Sequence, residues 1–189
     1  AASDVYKSQD LALENLKELS SPKILDIGTG SGCLAITLAA EISNSRVTGI
    51  DISNEAINVA NINKSKNKLK NISFKKIDIL RQTIKDQFDL IISNPPYITK
   101  DELVSVIKDV KEYEPLIALT DGADGLTFYR RFFSIAKQSL KKNGSMLLEV
   151  GIDTHPKKVQ DIFFNQGFIN TRLFKDLNGD DRVIIINKL

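Results

Sequence analysis

The chain has 189 residues, of which 42% are hydrophobic and 26% are charged, and its formal net charge is +2. This composition is typical of one globular domain and excludes disordered, collagen-like and coiled-coil proteins, while the balanced charge gives no reason to expect a stable nucleic-acid partner. One cysteine and one histidine exclude an internal disulfide and a His/Cys zinc cluster, so we expect no metal site.

The chain begins with a polar segment, AASDVYKSQD, which has no signal-peptide core. No run of about 18 apolar residues follows, as a membrane span would need. We therefore expect a cytoplasmic protein that does not bind membranes. Because the sequence opens on Ala1, we also expect a fragment of a longer protein.

Strands and helices alternate after the polar hinge at residues 20–22. Short apolar runs predict strands in KILDI, RVTGIDI, NISFKK, FDLIIS and SMLLEV. Apolar residues at helical spacing predict a helix between the first two strands, and Ser53 is a candidate N-cap for the next helix. The dense lysines between Lys64 and Lys76 are expected to form a solvated face.

The second half of the chain continues this alternation and then departs from it. A stripe of mostly apolar residues at helical spacing predicts a helix, which Asn143 and Gly144 would close. The stripe consists of Leu126, Tyr129, Phe133, Ala136 and Leu140. After a last helix, FINTRLF and RVIIIN follow each other with only a short turn between them, which favours an antiparallel edge hairpin. The pattern predicts a Rossmann-like, doubly wound α/β fold with a seven-stranded, mostly parallel sheet.

The first motif with chemical content is LDIGTGSG, in which glycines follow a strand and open a helix. The dinucleotide fingerprint would need a third glycine at position 33, where Cys33 stands. Gly28, Gly30 and Gly32 give a different spacing. With Asp26 in front, this loop suits a cofactor with an amino-acid tail, such as S-adenosylmethionine. A tight turn without a ligand is the alternative.

Two acidic residues follow later strands. Asp51 ends the second strand, where a carboxylate can accept both hydroxyls of a ribose; its alternative role as a helix cap is better served by Ser53. Asp78 and Ile79 follow the third strand and are candidates to border an adenine, with a plain loop as the alternative.

The segment IISNPPYIT ends the fourth strand, which should lie beside the first at the point where strand order reverses. The prolines fix φ and leave carbonyl oxygens free to accept hydrogen bonds. The oxygens of Asn94 and Pro95 could each accept one hydrogen of a planar NH₂ group, and Tyr97 would offer an aromatic face. Catalysis would then be mainly positioning, and no strong general base is needed.

At these separations DIGTGSG, Asp51 and NPPYI resemble the class I methyltransferases that modify planar nitrogens. More narrowly, NPPYI with EYEPLIALTDGADGLTFYRR, LLEVG and KDLNGDDRVIII resembles the HemK-type glutamine N5-methyltransferases of peptide chain release factors. The resemblance implies methylation of the glutamine in the Gly-Gly-Gln loop of a release factor. It divides the chain into an N-terminal helix and linker remnant, residues 1–22, and a catalytic domain, residues 23–189.

The resemblance also implies the site residues. The catalytic residues would be Asn94, Pro95 and Tyr97, and together with Pro96 they would bind the substrate. S-adenosylmethionine, which leaves as S-adenosylhomocysteine, would be bound by the following residues: Asp26, Gly28, Thr29, Gly30, Ser31, Gly32, Asp51, Ile52, Asp78, Ile79 and Asn94. The chain departs from the family twice, since the amino-terminal helical domain is missing and Ile79 replaces a common aromatic residue.

Other polar residues are expected to be structural. His155 is interpreted as a surface or capping residue and Cys33 as packed in the first helix after the loop, while Arg130 stays in solvent. Arg182 either pairs with the acidic Asp180 and Asp181 or faces substrate. Two other functions stay open: an amino-methyltransferase acting on adenine or guanine of DNA or RNA, and a binding module without turnover.

Overall fold

The structure is a computed structural model that describes residues 2–103 and 116–189. Its first elements are α1 (Ala2–Leu16), β1 (Lys23–Ile27), α2 (Cys33–Glu41), β2 (Arg46–Asp51), α3 (Asn54–Lys66), β3 (Ile72–Lys76) and β4 (Phe88–Ser93). After a short 3₁₀ turn (Leu116–Ala118) come α4 (Thr127–Ser139), β5 (Leu140–Glu149), α5 (His155–Phe164), β6 (Thr171–Lys175) and β7 (Asp181–Asn187).

The strands form one seven-stranded sheet with the order β3-β2-β1-β4-β5-β7-β6. Strands β1 to β5 are parallel, and β7 runs antiparallel to both β5 and β6. The predicted doubly wound α/β fold and its C-terminal edge hairpin are therefore confirmed. Strand order reverses between β1 and β4, so the carboxyl ends of β2, β1 and β4 meet at the switch point where such sheets bind ligands.

The central strands are apolar on both faces because each face is covered. In β1, Ile24 belongs to one core cluster, whereas Leu25 and Ile27 belong to the other. The first cluster also receives Ala12 and Leu16 from α1, so this helix packs on the sheet. Each leucine or isoleucine side chain stabilises the fold by about 1.5–3 kcal/mol when fully buried. This burial makes the sheet a rigid base for the loops at its carboxyl edge.

The predicted end of α4 is wrong. The helix ends at Ser139, and Leu140 already has extended backbone angles (φ −80°, ψ 136°). Asn143 and Gly144 lie within β5, where Asn143 has a φ of 62° and its N–H donates to the carbonyl of Lys188 at 2.9 Å. The pair therefore makes an irregularity inside a strand. Four members of the predicted stripe are buried, whereas Phe133 is half-buried and the neighbouring Phe132 is buried instead.

Cys33 is exposed, so its predicted packing is wrong. The buried residues of α2 are Ala35, Ile36, Leu38 and Ala39, and the helical period places residue 33 on the opposite face. The lysines from Lys64 to Lys76 are exposed or half-buried, which confirms the solvated face. Across residues 2–103 and 116–189, no helix has the length and apolarity to span a bilayer, and no cluster of three or more potential metal ligands occurs.

Candidate active site

The glycine loop, residues 28–32, turns back over the end of β2. The N–H groups of Gly28 and Thr29 both donate to the carbonyl of Ile50, at 2.8 and 2.9 Å. Gly28 and Gly30 have φ angles of 71° and 54°, and a Cβ on either would meet no atom within 4 Å. This side of the loop is therefore open to a ligand.

Gly32 closes the other side of the loop by tight packing. Its φ is 81°, and a Cβ there would lie 2.8 Å from the Phe74 ring and 3.1 Å from Ala60. The glycine thus lets α2 start directly against β3 and α3. Thr29 is buried, while Ser31 is exposed and its carbonyl accepts a hydrogen bond from the Asn63 amide at 3.0 Å.

Asp51 holds the loop in place from the end of β2. Its Oδ2 accepts from the N–H of Gly30 and its Oδ1 from the N–H of Ser53, both at 2.9 Å. The Ser53 hydroxyl oxygen in turn accepts from the N–H of Ala56 at 3.1 Å, which confirms Ser53 as the N-cap of α3. A carboxylate has about four acceptor positions, so Asp51 retains capacity for the two hydroxyls of a ribose.

Asp26 lies beneath the loop and is only 3% exposed. The Thr29 hydroxyl donates to its Oδ2 at 2.6 Å. Burial raises the pKa of Asp26 from 3.8 to about 6, and the negative charge of Asp51 adds to this, although the Thr29 hydrogen bond opposes it. A cationic ligand group beside Asp26 would favour its charged form.

The loops after β2 and β3 carry the remaining predicted cofactor residues. Asp78 holds a turn, because its Oδ1 accepts from the N–H of Leu80 at 3.0 Å. Ile79 is 7% exposed and packs in the core, whereas Ile52 is 44% exposed. The apolar surface open to a planar ring here is therefore that of Ile52 and of Leu80, which is 42% exposed.

The NPPY elbow, residues 94–97, follows β4 directly beside the glycine loop. The Ser93 hydroxyl donates to the carbonyl of Ile27 at 2.7 Å, which ties the ends of β4 and β1 together. Asn94 is exposed, and within the described residues no group is hydrogen-bonded to its side chain, whereas Pro95 is buried. The elbow therefore holds the Asn94 side-chain amide in a position where a ligand can bond to it, next to backbone that is fixed by β4 and β1.

Tyr97 is held by side chains from distant parts of the chain. An Arg182 N–H donates to its hydroxyl at 3.0 Å, and that hydroxyl donates to Oε1 of Glu149 at 3.4 Å. The Arg182 guanidinium lies 5.6 Å from the centroid of the Tyr97 ring. The predicted pairing of Arg182 with Asp180 and Asp181 is wrong, because β7 places its guanidinium against Glu149 at 3.3 Å.

The DGADGL turn, residues 121–126, packs along the segment that follows the elbow. The N–H of Ile98 donates to the carbonyl of Leu119 at 3.0 Å, and a Cβ on Gly125 would collide with the carbonyl oxygen of Tyr97. Asp121 accepts from the N–H groups of Ala123 and Gly125 in its own turn and from that of Thr127 at the start of α4. Burial opposes the charge of Asp121, but these bonds outweigh it and lower its pKa. The EYEP residues before this turn, 112–115, lie outside the described residues.

His155 is not a surface residue, so that part of its interpretation is wrong. It is half-buried at the start of α5, where the N–H of Gly151 donates to Nδ1 at 3.1 Å and Nε2 lies 3.1 Å from the carbonyl of Gly125. These bonds require the neutral ring with the proton on Nε2. Desolvation lowers the pKa of His155 and favours this neutral form. Arg130, by contrast, is exposed as predicted and pairs with Asp124.

Glu149 was missed by reasoning from sequence. It ends β5 after an apolar run and is only 5% exposed, and its main-chain carbonyl accepts from the Tyr129 hydroxyl at 2.7 Å. A carboxylate inside the apolar run LLEV was the available signal, because a buried carboxylate needs a partner.

Comparisons with known proteins agree with this geometry. Residues 1–112 match the family described as methyltransferase small domain. This chain belongs to that family. A methyltransferase from Pyrococcus furiosus has the same fold, with a TM-score of 0.68 and 19% identity, over 95% of this chain and 82% of that one.

The curated relatives of this chain have a more specific name than the family does. The release factor glutamine methyltransferase of Fusobacterium nucleatum subsp. nucleatum is 43% identical over 177 residues, which cover 93% of this chain and 50% of the relative. The protein of that name from Clostridium acetobutylicum is 37% identical over 179 residues, covering 93% and 62%. The resemblance is therefore confirmed, and the chain spans less than two thirds of these relatives.

Proposed function

We propose that the chain transfers a methyl group from S-adenosylmethionine to the side-chain N5 of the glutamine in the Gly-Gly-Gln loop of a peptide chain release factor. The observation that carries the proposal is the position of Asn94 and Pro95 at the end of β4, directly beside the glycine loop at the end of β1. The names of the curated relatives support the choice of substrate.

The residues at the carboxyl ends of β1, β2 and β3 fit S-adenosylmethionine. The open faces of Gly28 and Gly30 leave space for its amino-acid tail, and the buried carboxylate of Asp26 matches its ammonium group. Asp51 would accept from the ribose hydroxyls, while Ile52, Asp78 and Ile79 would border the adenine. When bound, the cofactor would supply an electrophilic methyl group on a sulfonium. The proposed pocket is completed by Thr29, Ser31 and Gly32, and Asn94 borders it on the side of the methyl group.

The elbow would orient the substrate carboxamide. The side-chain oxygen of Asn94 and the carbonyl of Pro95 each accept one hydrogen of the amide, which points the nitrogen at the methyl carbon. Both oxygens would stabilise the positive charge that the nitrogen gains when it takes the methyl group from the sulfonium. The nitrogen then releases one proton to solvent. Pro96 keeps the turn stiff, and the ring of Tyr97 lies beside the carboxamide.

The proposal extends to the arrangement of the whole protein. Residues 1–22 would form an N-terminal helix and linker, and residues 23–189 the catalytic domain. The part of the relatives that this chain does not span would help to bind the release factor. We also propose a cytoplasmic location, because a translation factor would be the substrate. The balanced charge gives no reason to add a stable nucleic-acid partner, and we propose no membrane partner.

Labelled methyl transfer tests this proposal. The chain would be incubated with labelled cofactor and purified release factor, beside a release factor whose Gly-Gly-Gln glutamine is changed to alanine. We expect label on the first protein and none on the second. Transfer to DNA or RNA with none to the release factor would favour a base methyltransferase and overturn the proposal. Cofactor binding with no transfer to any acceptor would favour a binding module.

A further inference from the structure

Three strand ends converge behind the elbow. In the parallel ladder between β4 and β5, Ser93 pairs with Leu148, so Glu149 lies next to the start of the elbow. In the antiparallel ladder, Glu149 pairs with Val183, and the N–H of Val150 donates to the carbonyl of Arg182 at 2.9 Å. The C-terminal hairpin therefore brings Arg182 to the ligand-binding edge of the sheet.

Arg182 and Glu149 form an ion pair that is largely removed from water. Their side chains are 12% and 6% exposed, and the Nη2 to Oε1 distance is 3.3 Å. Removing two charges from water costs free energy that their attraction does not fully return, so such a pair is weak evidence for a role in stability alone. Both charged groups also contact the Tyr97 hydroxyl, at 3.0 and 3.4 Å.

The contacts fix Tyr97 from several directions. The guanidinium of Arg182 lies over the ring, at 5.6 Å from its centroid, and His155 lies 5.9 Å away at an angle of 54°. The backbone of Gly125 packs against the carbonyl oxygen of Tyr97. Tyr97 directly follows the two prolines, whose rings fix φ at residues 95 and 96, so an anchored Tyr97 limits the directions that the Pro95 carbonyl can take.

We propose that Arg182 and Glu149 are positioning residues that act through Tyr97 to aim the Asn94 and Pro95 oxygens at the acceptor nitrogen. This rests on the proposed function, since it assigns a role in the same methyl transfer. The hydrogen bonds of both side chains go to Tyr97 and to each other, which places them on the acceptor side of the site. A hydroxyl, a carboxylate and a guanidinium act as one unit.

The first test compares three substitutions: Tyr97→Phe, Glu149→Gln and Arg182→Gln. Tyr97→Phe removes only the hydroxyl and keeps the ring, so its folding should be intact even if the other two fold poorly. We expect the turnover number to fall by about 10- to 100-fold, because small misplacements of reacting groups are costly. The cofactor dissociation constant should stay within about twofold. Combining Tyr97→Phe with Arg182→Gln should cost little more than either change alone, since the groups share one task.

Matched controls separate positioning from general loss of stability. Lys141→Gln breaks another partly buried ion pair, with Asp89, and Arg172→Gln breaks another contact between a guanidinium and a ring, with Phe174. Both lie away from the elbow and should leave turnover unchanged. Arg182→Lys keeps the charge but not the planar fork, and should recover only part of the lost turnover. Wild-type turnover in Tyr97→Phe would overturn the inference, as would an equal fall in cofactor affinity.

A second readout does not depend on catalysis. The side-chain NH₂ resonances of Asn94 should shift in Tyr97→Phe and Glu149→Gln, while the amide resonances of Gly28 and Gly30 stay in place. If the wild-type chain transferred no methyl to a release factor, the proposed function would fail, but these shifts would still show that the pair sets the elbow. Unchanged Asn94 resonances in both variants would refute the positioning role.

Discussion

The glycine loop and the NPPY elbow lie side by side at the carboxyl ends of β1 and β4, and they are held in different ways. The loop is fixed by residues close in sequence, since its N–H groups bond to Ile50 and Asp51 at the end of the next strand. The elbow depends on residues much farther along the chain, because Glu149 and Arg182 hold Tyr97. The cofactor side is thus built from β1, β2 and β3 with the helices between them, whereas the acceptor side needs the completed sheet.

This difference predicts which changes separate binding from turnover. A change in the glycine loop should alter cofactor affinity and local stability, because the backbone of the loop forms the cofactor side of the site. A change at the elbow should alter the orientation of the acceptor and leave cofactor affinity nearly unchanged. The following substitutions can break or sharpen the distinction, and they run from the largest expected effect to the smallest.

Asn94→Ala should have the largest effect, on turnover alone. Loss of one oriented acceptor in a catalytic site typically lowers the rate by about 10²–10³-fold. Equilibrium binding should give a cofactor dissociation constant within about twofold of wild type, and single-turnover assays should give the rate. Asn58→Ala, on an exposed position of α3, is the matched control and should behave as wild type. Turnover near wild type in Asn94→Ala would remove the acceptor role of the elbow.

Asp26→Asn should separate stability from cofactor binding on the loop side. The pKa of this buried carboxyl is raised to about 6, so its charge is unfavourable to folding. Ionisation of Asp26 therefore lowers the free energy of unfolding as pH rises from about 4 to about 6. The loss reaches about 3 kcal/mol at neutral pH. The variant should therefore be more stable than wild type at pH 8, by about 2–3 kcal/mol, and equally stable at pH 3.5.

The same variant should bind the cofactor more weakly, because it has no charge to offer an ammonium group. In the wild type, affinity should fall as pH drops through about 6 for the same reason. Urea unfolding and equilibrium binding at the two pH values measure both effects. Asp10→Asn, at an exposed position on α1, is the control. A variant that loses stability at pH 8 would show that the charge of Asp26 is favourable to the fold.

Gly32→Ala and Gly28→Ala form a matched pair within the loop. Both positions have positive φ, which costs an alanine about 1–2 kcal/mol. At Gly32 the new Cβ would also press on Phe74 and Ala60, so we expect a total loss of about 2–4 kcal/mol in urea unfolding. At Gly28 only the first cost should appear, together with weaker cofactor binding, since the Cβ enters the open face. Equal losses of stability in the two variants would contradict this division of the loop.

Arg130→Ala should have the smallest effect. The Arg130 side chain hydrogen-bonds to Asp124 and lowers the pKa of that carboxyl to about 2, so any stabilisation is present above about pH 4 and lost as pH falls through about 2. Both side chains are about half exposed, and solvent limits the contribution of the pair to under about 1 kcal/mol. Thermal unfolding at pH 7 measures the change, and turnover should match wild type. A large fall in turnover would show that α4 reaches the site.

The fold could be predicted largely from local patterns. Buried strands such as KILDI and FDLIIS give unambiguous apolar runs, and the two adjacent C-terminal strands without a helix between them are typical of a hairpin. The error at Asn143 has a physical cause. An asparagine before glycine suits a helix C-cap, but here the left-handed residue lies in β5 beside Lys188, a contact from the far end of the chain.

The two sides of the site also differ in how far local sequence patterns predict them. Asp51 and Ser53 were placed correctly because a strand end and a helix cap are local features. The partners of Arg182 were wrong because neighbouring acidic residues in sequence compete with a carboxylate that only the β5 and β7 pairing brings near. Cys33 was misplaced because one position in a helix has no pattern of its own; the period of its neighbours decides its face.

The central claim is that the elbow holds a carboxamide against the cofactor pocket. A crystal structure of the chain with S-adenosylhomocysteine and a peptide that contains the Gly-Gly-Gln loop would test it most directly. The account predicts the glutamine nitrogen at about 3 Å from both the Asn94 side-chain oxygen and the Pro95 carbonyl, facing the sulfur. A nucleoside bound away from residues 28–32 and Asp51, or a glutamine that contacts neither oxygen, would contradict it.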